Sequence, residues 1–209
     1  MSGKLSKNKG ASYELKMSKY FSKWSGRDFY RTPGSGSWSS QRMAQDNQSG
    51  DIVAPSDIKF PFSVELKHHE GFTLDSFVRS IGEIPSFYTQ NVGDAVRSEK
   101  VPMLIVHKNY APNYVSVPYS KSIERNMKEN HLPYMITTVL FKDYLTDTDI
   151  YMDVLVMVLE DLFSIYTLED FIKNHRRMFT YWYTKVMPDV SKRSTGSNDL
   201  DKIIDSLGD

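Results

Sequence analysis

The run Phe62-Ser63-Val64-Glu65-Leu66-Lys67 sets an acid and an amine two residues apart in an otherwise apolar segment. A strand has a period of two, so Val64 and Leu66 point one way and Glu65 and Lys67 the other. Burying the aliphatic pair aligns a carboxylate and an ammonium on one face. Upstream, Gly50-Asp51-Ile52-Val53-Ala54 offers a second carboxylate at the mouth of another apolar strand. If the two strands are neighbours, Asp51, Glu65 and Lys67 form a trio able to hold a divalent metal and activate water against a phosphodiester. Alone, the acid-x-lysine strand is a weak signal, because most such pairs are ion pairs on a solvated sheet face. Two upstream features give it context. Glu14 falls at the edge of a helical stripe, on the Met17 and Phe21 side, where it can lean toward a sheet or pair with Lys7 or Lys16 on the surface. Pro33-Gly34-Ser35-Gly36-Ser37 reads as an irregular loop, either a plain linker or one whose amides and hydroxyls approach phosphates.

The elements that must position these residues follow from periodicity. Tyr13, Met17, Tyr20, Phe21 and Trp24 predict an amphipathic helix over 10–24, stopped near Gly26. Phe29 to Thr32 reads as a short strand, and the polar stretch 39–49 extends the loop that follows it. Strands are expected at 51–54 and 62–68, joined by a turn at Pro55-Ser56-Asp57. Apolar spacing over 74–88 predicts a helix interrupted by Pro85. Met103 to His107 is a buried strand, with 114–117 as its hairpin partner. A helix over 120–130, strands over 134–141 and 151–159, and a helix over 168–178 complete the order, with a buried helix segment as the alternative for 151–159. Helix, strands, helix and strand predict a mixed α/β fold, a central mixed sheet flanked by helices. The expected division is a core over 1–118, a C-terminal α/β extension over 119–190 packed on it, and a basic linker with a short amphipathic end over 191–209.

Composition removes several function classes. A chain of 209 residues can bury a full core, and 40% hydrophobic residues fit a globular protein. There is no cysteine, so disulfide scaffolds and thiolate-zinc sites are excluded and a reducing compartment is favoured. Residues 1–10 lack the apolar stretch of a signal peptide, and the most apolar run, Val154 to Leu159, is too short to span a bilayer. A cytosolic protein with no membrane partner is expected. Formal net charge is zero, but the charges are segregated. Residues 1–32 carry eight bases against Glu14 and Asp28, and residues 173–193 carry six against Asp189. Residues 143–170 carry eight acids and no base. A phosphate backbone responds to the local potential, so the basic segments suit nucleic acid, unless they are simply solvated helix faces. The acidic block is expected to face away from DNA or to meet a protein partner.

Other motifs weigh less. His68 and His69 adjoin Lys67, but strand parity lets only His69 share its face, and hard-metal chemistry does not need it. His107, His131 and His175 have no ligand spacing and read as structural. Tyr181-Trp182-Tyr183 near Arg176, Arg177 and Lys185 can stack on bases, though a packing or dimer contact is the stronger reading. No phosphate loop ending in Gly-Lys-Ser/Thr is present, which argues against a nucleotide cofactor.

In order, Lys9-Gly10, Glu14, Arg31 ahead of Gly34-Ser35-Gly36-Ser37, Asp51 and Glu65-x-Lys67 resemble the PD-(D/E)XK nuclease superfamily, and within it the archaeal-type Holliday-junction resolvases. The resemblance covers about residues 7–107. It implies a restriction-endonuclease-like core and a magnesium-dependent endonuclease, with manganese as substitute, acting as a homodimer on branched DNA. By motif position it makes Glu14 the helix acid and a possible ligand, Asp51 and Glu65 the metal carboxylates, and Lys67 the catalytic lysine. Lys9, Arg31, Ser35 and Ser37 would contact the DNA backbone. Magnesium keeps several waters, so Asp51, Glu65 and the Leu66 carbonyl suffice as the protein share. Lys67 then acts as an electrostatic stabiliser, because nearby carboxylates oppose the lowered pKa a base requires. One departure is that Gly50 stands where the motif has proline. The rival readings are a restriction- or recombination-type nuclease on linear DNA, and a catalytically idle DNA-binding protein of the same fold.

Overall fold

The structure, a computed structural model, describes residues 2–32 and 49–182. Helix α1 (Ser2–Ser25) leads to the short strands β1 (Tyr30–Arg31) and β2 (Ile52–Val53), which pair antiparallel. Strand β3 (Phe62–His68) is followed by α2 (Leu74–Arg79), α3 (Ile84–Arg97), β4 (Val101–His107) and β5 (Tyr114–Pro118). Then come α4 (Lys121–Glu129), β6 (Tyr134–Lys142), β7 (Asp149–Val158), α5 (Leu159–Ile165) and α6 (Leu168–Tyr181). The main sheet has the order β3-β4-β5-β7-β6; β3 and β4 run parallel and the remaining pairs antiparallel. The fold is therefore mixed α/β, as the element order predicts, and β6 and β7 continue the sheet begun by β3 to β5.

Helices cover both faces of this sheet. Tyr13, Met17 and Phe21 of α1 pack with Val64, Leu66, Met103, Ile105 and the α5–α6 residues Phe163 and Phe171. On the opposite face, Phe77, Phe87 and Tyr88 of α2 and α3 pack on Leu104, Val106, Phe141 and Val154. Two covered faces explain why 103–107 is continuously apolar while β3 alternates. Trp24 seals the end of α1: its ring stacks on Phe163 at 3.7 Å between centroids, and its Nε1 donates to the Tyr166 carbonyl at 2.9 Å.

Three expectations change. The single helix over 74–88 is two helices, separated by Ser80 and Gly82 in left-handed conformation (φ 48° and 66°). Pro85 begins α3 instead of interrupting a helix, because in a first turn its missing N–H has no intrahelical acceptor to lose. The helix runs on to Arg97, since Asn91, Val92 and Ala95 bury the same face beyond Tyr88. The 151–159 run is strand to Val158 and helix from Leu159, whose amide donates to the Asn113 carbonyl at 2.8 Å. The Gly-Ser loop, the basic linker and the terminal segment lie outside the described residues. Among the described residues no helix is long and apolar enough to cross a membrane.

Candidate active site

Strand parity puts Val64 and Leu66 in the core under α1 and turns Glu65 and Lys67 toward α3. Glu65 is 3% exposed, and its Oε1 lies 2.6 Å from Lys67 Nζ. Lys67 also donates to Gln90 Oε1 at 2.8 Å, and its ammonium lies 5.3 Å from the centre of the Phe87 ring. Phe87 and Gln90, about one turn apart on α3, thus also hold the amine.

Asp51 reaches β3 along the edge that β4 leaves open. Gly50 bridges Val64, and the Asp51 amide donates to the Val64 carbonyl at 2.7 Å. The Leu66 amide donates to Asp51 Oδ2 at 2.8 Å, so the carboxylate takes a ladder position beside the Glu65-Leu66 peptide. Thr32 closes the other side, its amide donating to the Asp51 carbonyl at 3.0 Å and its hydroxyl to the Gly50 carbonyl at 2.7 Å.

Gly50 explains the missing proline. Its φ is +74°, and a Cβ there would stand 2.2 Å from the Val64 oxygen. Proline is locked near −65° and cannot adopt this conformation. Gly50→Ala is expected to cost about 3 kcal/mol, combining strain and clash, and to lower the melting temperature by roughly 6–12 °C. A thermal melt beside the native protein checks this; an unchanged melting temperature would mean the bridge relaxes freely.

Charge in the site is unbalanced. Burial pushes the Asp51 carboxyl up to about 8, helped by the charges of Glu65 and Glu14 and opposed by the Leu66 amide and Lys67. Glu65 is raised as well, mainly by burial, against the opposing pull of Lys67, with Asp94 and Glu14 adding to the rise. Two buried carboxylates share one ammonium, so the site lacks positive charge. Hard oxygen donors short of a cation suit a divalent metal such as magnesium. Among the described residues no group of three or more His, Asp or Glu is placed to hold a metal ion.

Glu14 feels both acids, but its Oε2 is held 2.5 Å from Arg31 Nε. Among the described residues its partner is thus Arg31, not Lys16 of its own helix. Lys9 is exposed on α1, while Ser35 and Ser37 lie outside the described residues. His69 faces Glu83 at 3.1 Å. His68 packs with His107 and Tyr13 on the opposite face, and His131 is exposed at a left-handed turn. Trp182 is fully buried in the core under α2 and α3, which is the packing role; Tyr183 lies outside the described residues. Sequence reasoning missed Gln90 and Asp94 because it ended the helix at 88, and it gave Phe87 no role at the site. Their spacing of three and four residues was the available signal.

A family model described as "phage putative PDDEXK endonuclease" matches residues 5–173. No curated protein and no solved structure matches the chain.

Proposed function

The chain belongs to this phage PDDEXK endonuclease family, a nuclease family of the PD-(D/E)XK superfamily with DNA as substrate and divalent metals in general use, and from that premise we propose how its residues divide the work. Asp51, Glu65 and the Leu66 carbonyl hold magnesium, with manganese able to replace it and Glu14 as an accessory ligand. When bound, the cation lowers the pKa of a coordinated water and offsets charge on the scissile phosphate. Lys67 donates to a phosphoryl oxygen as charge builds there. Gln90 keeps that ammonium aimed while Glu65 is engaged elsewhere. Lys9, Arg31, Ser35 and Ser37 grip the DNA backbone. Arg31 can trade its ion pair with Glu14 for a phosphate, or bridge the two. The observation that carries this reading is the Asp51 carboxylate seated on the Leu66 amide, beside the Glu65–Lys67 pair.

The finer proposal is cleavage of branched DNA by a homodimer. Labelled four-way junction and linear duplex of the same sequence, each incubated with protein and magnesium, should be cut at clearly different rates, the junction faster. Equal rates would make this a nuclease for linear DNA. Salt-sensitive binding with no cutting under any divalent metal would leave an idle binding protein.

A further inference from the structure

Beyond Lys67, the outer face of α3 and the turn between β6 and β7 border an open cavity of about 460 Å³, whose lining includes Ser86, Thr89, Gln90, Arg97, Lys142 and Tyr144. That size is in the range of small-ligand sites. Gln90 is its shared wall, because the oxygen that accepts from Lys67 belongs to a residue of the lining.

The far end is built around Tyr144. The Arg97 guanidinium carbon lies 4.9 Å from the centre of the Tyr144 ring. Gly93 makes room for that ring: a Cβ there would come within 3.1 Å of Tyr144 Cγ and Cδ1. The turn is anchored to α3 by Thr89 Oγ1, which donates to the Lys142 carbonyl at 2.9 Å. The lining is largely apolar, with the Tyr144 ring, the Arg97 guanidinium and the Gln90 amide at its walls, and the Ser86 and Thr89 hydroxyls already donate to backbone carbonyls.

This mixture matches a nucleotide. Flat π surfaces and arginine planes take bases without regard to sequence, and lysine and arginine take phosphate. Arg97 is paired with Asp94, which is largely shielded, and Lys142 with Asp149 in a pair about half exposed. An exposed pair of the Lys142–Asp149 kind contributes little, so its lysine can turn to a phosphate. The geometry points to a subsite for one nucleotide of the substrate strand next to the scissile phosphate. This inference rests on the nuclease reading for its location, and on the cavity alone for its ligand.

The test uses the full chain and two probes. First, the dinucleotide pTpT is titrated into 15N-labelled protein. Amide signals of Thr89, Gln90, Arg97 and Tyr144 should shift and saturate. Tyr144→Leu should weaken that binding about tenfold, the worth of one stacked base. Gly93→Ala, which puts a methyl into the seat of the Tyr144 ring, should do the same, and thermal melts confirm that both variants fold. Second, steady-state cleavage of duplex DNA should lose about tenfold through KM in Tyr144→Leu and Arg97→Gln, with the smaller part of the loss in kcat. Active native protein combined with no pTpT shifts and an unchanged KM in these variants overturns the subsite and leaves the nuclease standing. Native protein that cuts no DNA yet binds pTpT here overturns the nuclease and leaves the subsite. Absence of both removes both.

Discussion

Glu65→Gln and Lys67→Met should each lower DNA cleavage by at least about a thousandfold, a loss expected when charge stabilisation in the transition state is removed. Binding to the same DNA should fall by much less, because the proposed phosphate contacts lie in the basic segments and not in this pair. The two variants should separate in stability. Glu65 is 3% exposed and already raised by burial, so neutralising it removes a desolvated charge and costs the fold little. Removing Lys67 leaves that carboxylate buried without its cation, and the melting temperature should drop. Cleavage assays paired with thermal melts distinguish the cases. Cutting within tenfold of native in well-folded Glu65→Gln would take the acid out of the reaction, and loss of folding in both variants would make the pair structural.

Asp51→Asn should have the opposite effect on stability. The native carboxyl sits at about 8 against an ordinary value of 3.8, so in metal-free protein folding takes up a proton between those values. Stability then falls as pH rises through that window and levels off above it. At pH 8 the neutral amide avoids this cost while its oxygen still accepts from the Leu66 amide. A gain of about 2 kcal/mol, or roughly 4–8 °C, is expected in metal-free buffer, discounted from the full shift for relaxation of the site. Below pH 4 the two proteins should melt together. Magnesium should raise the native melting temperature more at pH 8 than at pH 6, because the cation competes with the proton for the same oxygen. In Asp51→Asn that increment and the cleavage should both disappear. A magnesium increment that persists undiminished in the variant would place the metal elsewhere.

How much of the site was legible depended on the range of the interaction. Glu65 and Lys67 share a face because strand geometry leaves no alternative once Val64 and Leu66 are buried. Gly50 reads as a departure from a motif in the sequence, and only its φ of +74° and its contact with Val64 make it a requirement. The Arg31–Glu14 pair joins residues seventeen apart across a chain reversal, and local pattern favours intrahelical partners for Glu14. Gln90 and Asp94 were hidden because a polar stretch ending in glycine looks like the end of a helix. The burial of Asn91, whose side-chain amide donates to the Ser63 carbonyl at 3.0 Å, keeps the helix going.

The acidic block also reads differently in three dimensions. Asp143 accepts from the amides of Leu145 and Thr146 and closes the β6–β7 turn. Asp149 pairs with Lys142, Asp153 accepts from Thr138, and Glu160 accepts from the Asn113 amide that orients Tyr13. Much of that negative charge holds the hairpin and the end of β7 in place.

By itself, then, the sequence determined the order of most elements, the two-faced character of β3 and the chemical types available: two carboxylates, a lysine and basic flanks. Those follow from periodicity and side-chain chemistry, which act over a few residues. Tertiary structure alone decided that Asp51 meets β3 on its open edge, that Gln90 rather than another residue holds Lys67, and that the site is short of positive charge. Each depends on strand order, backbone hydrogen bonds between distant segments and burial from water. These are properties of the packed sheet that no local pattern contains.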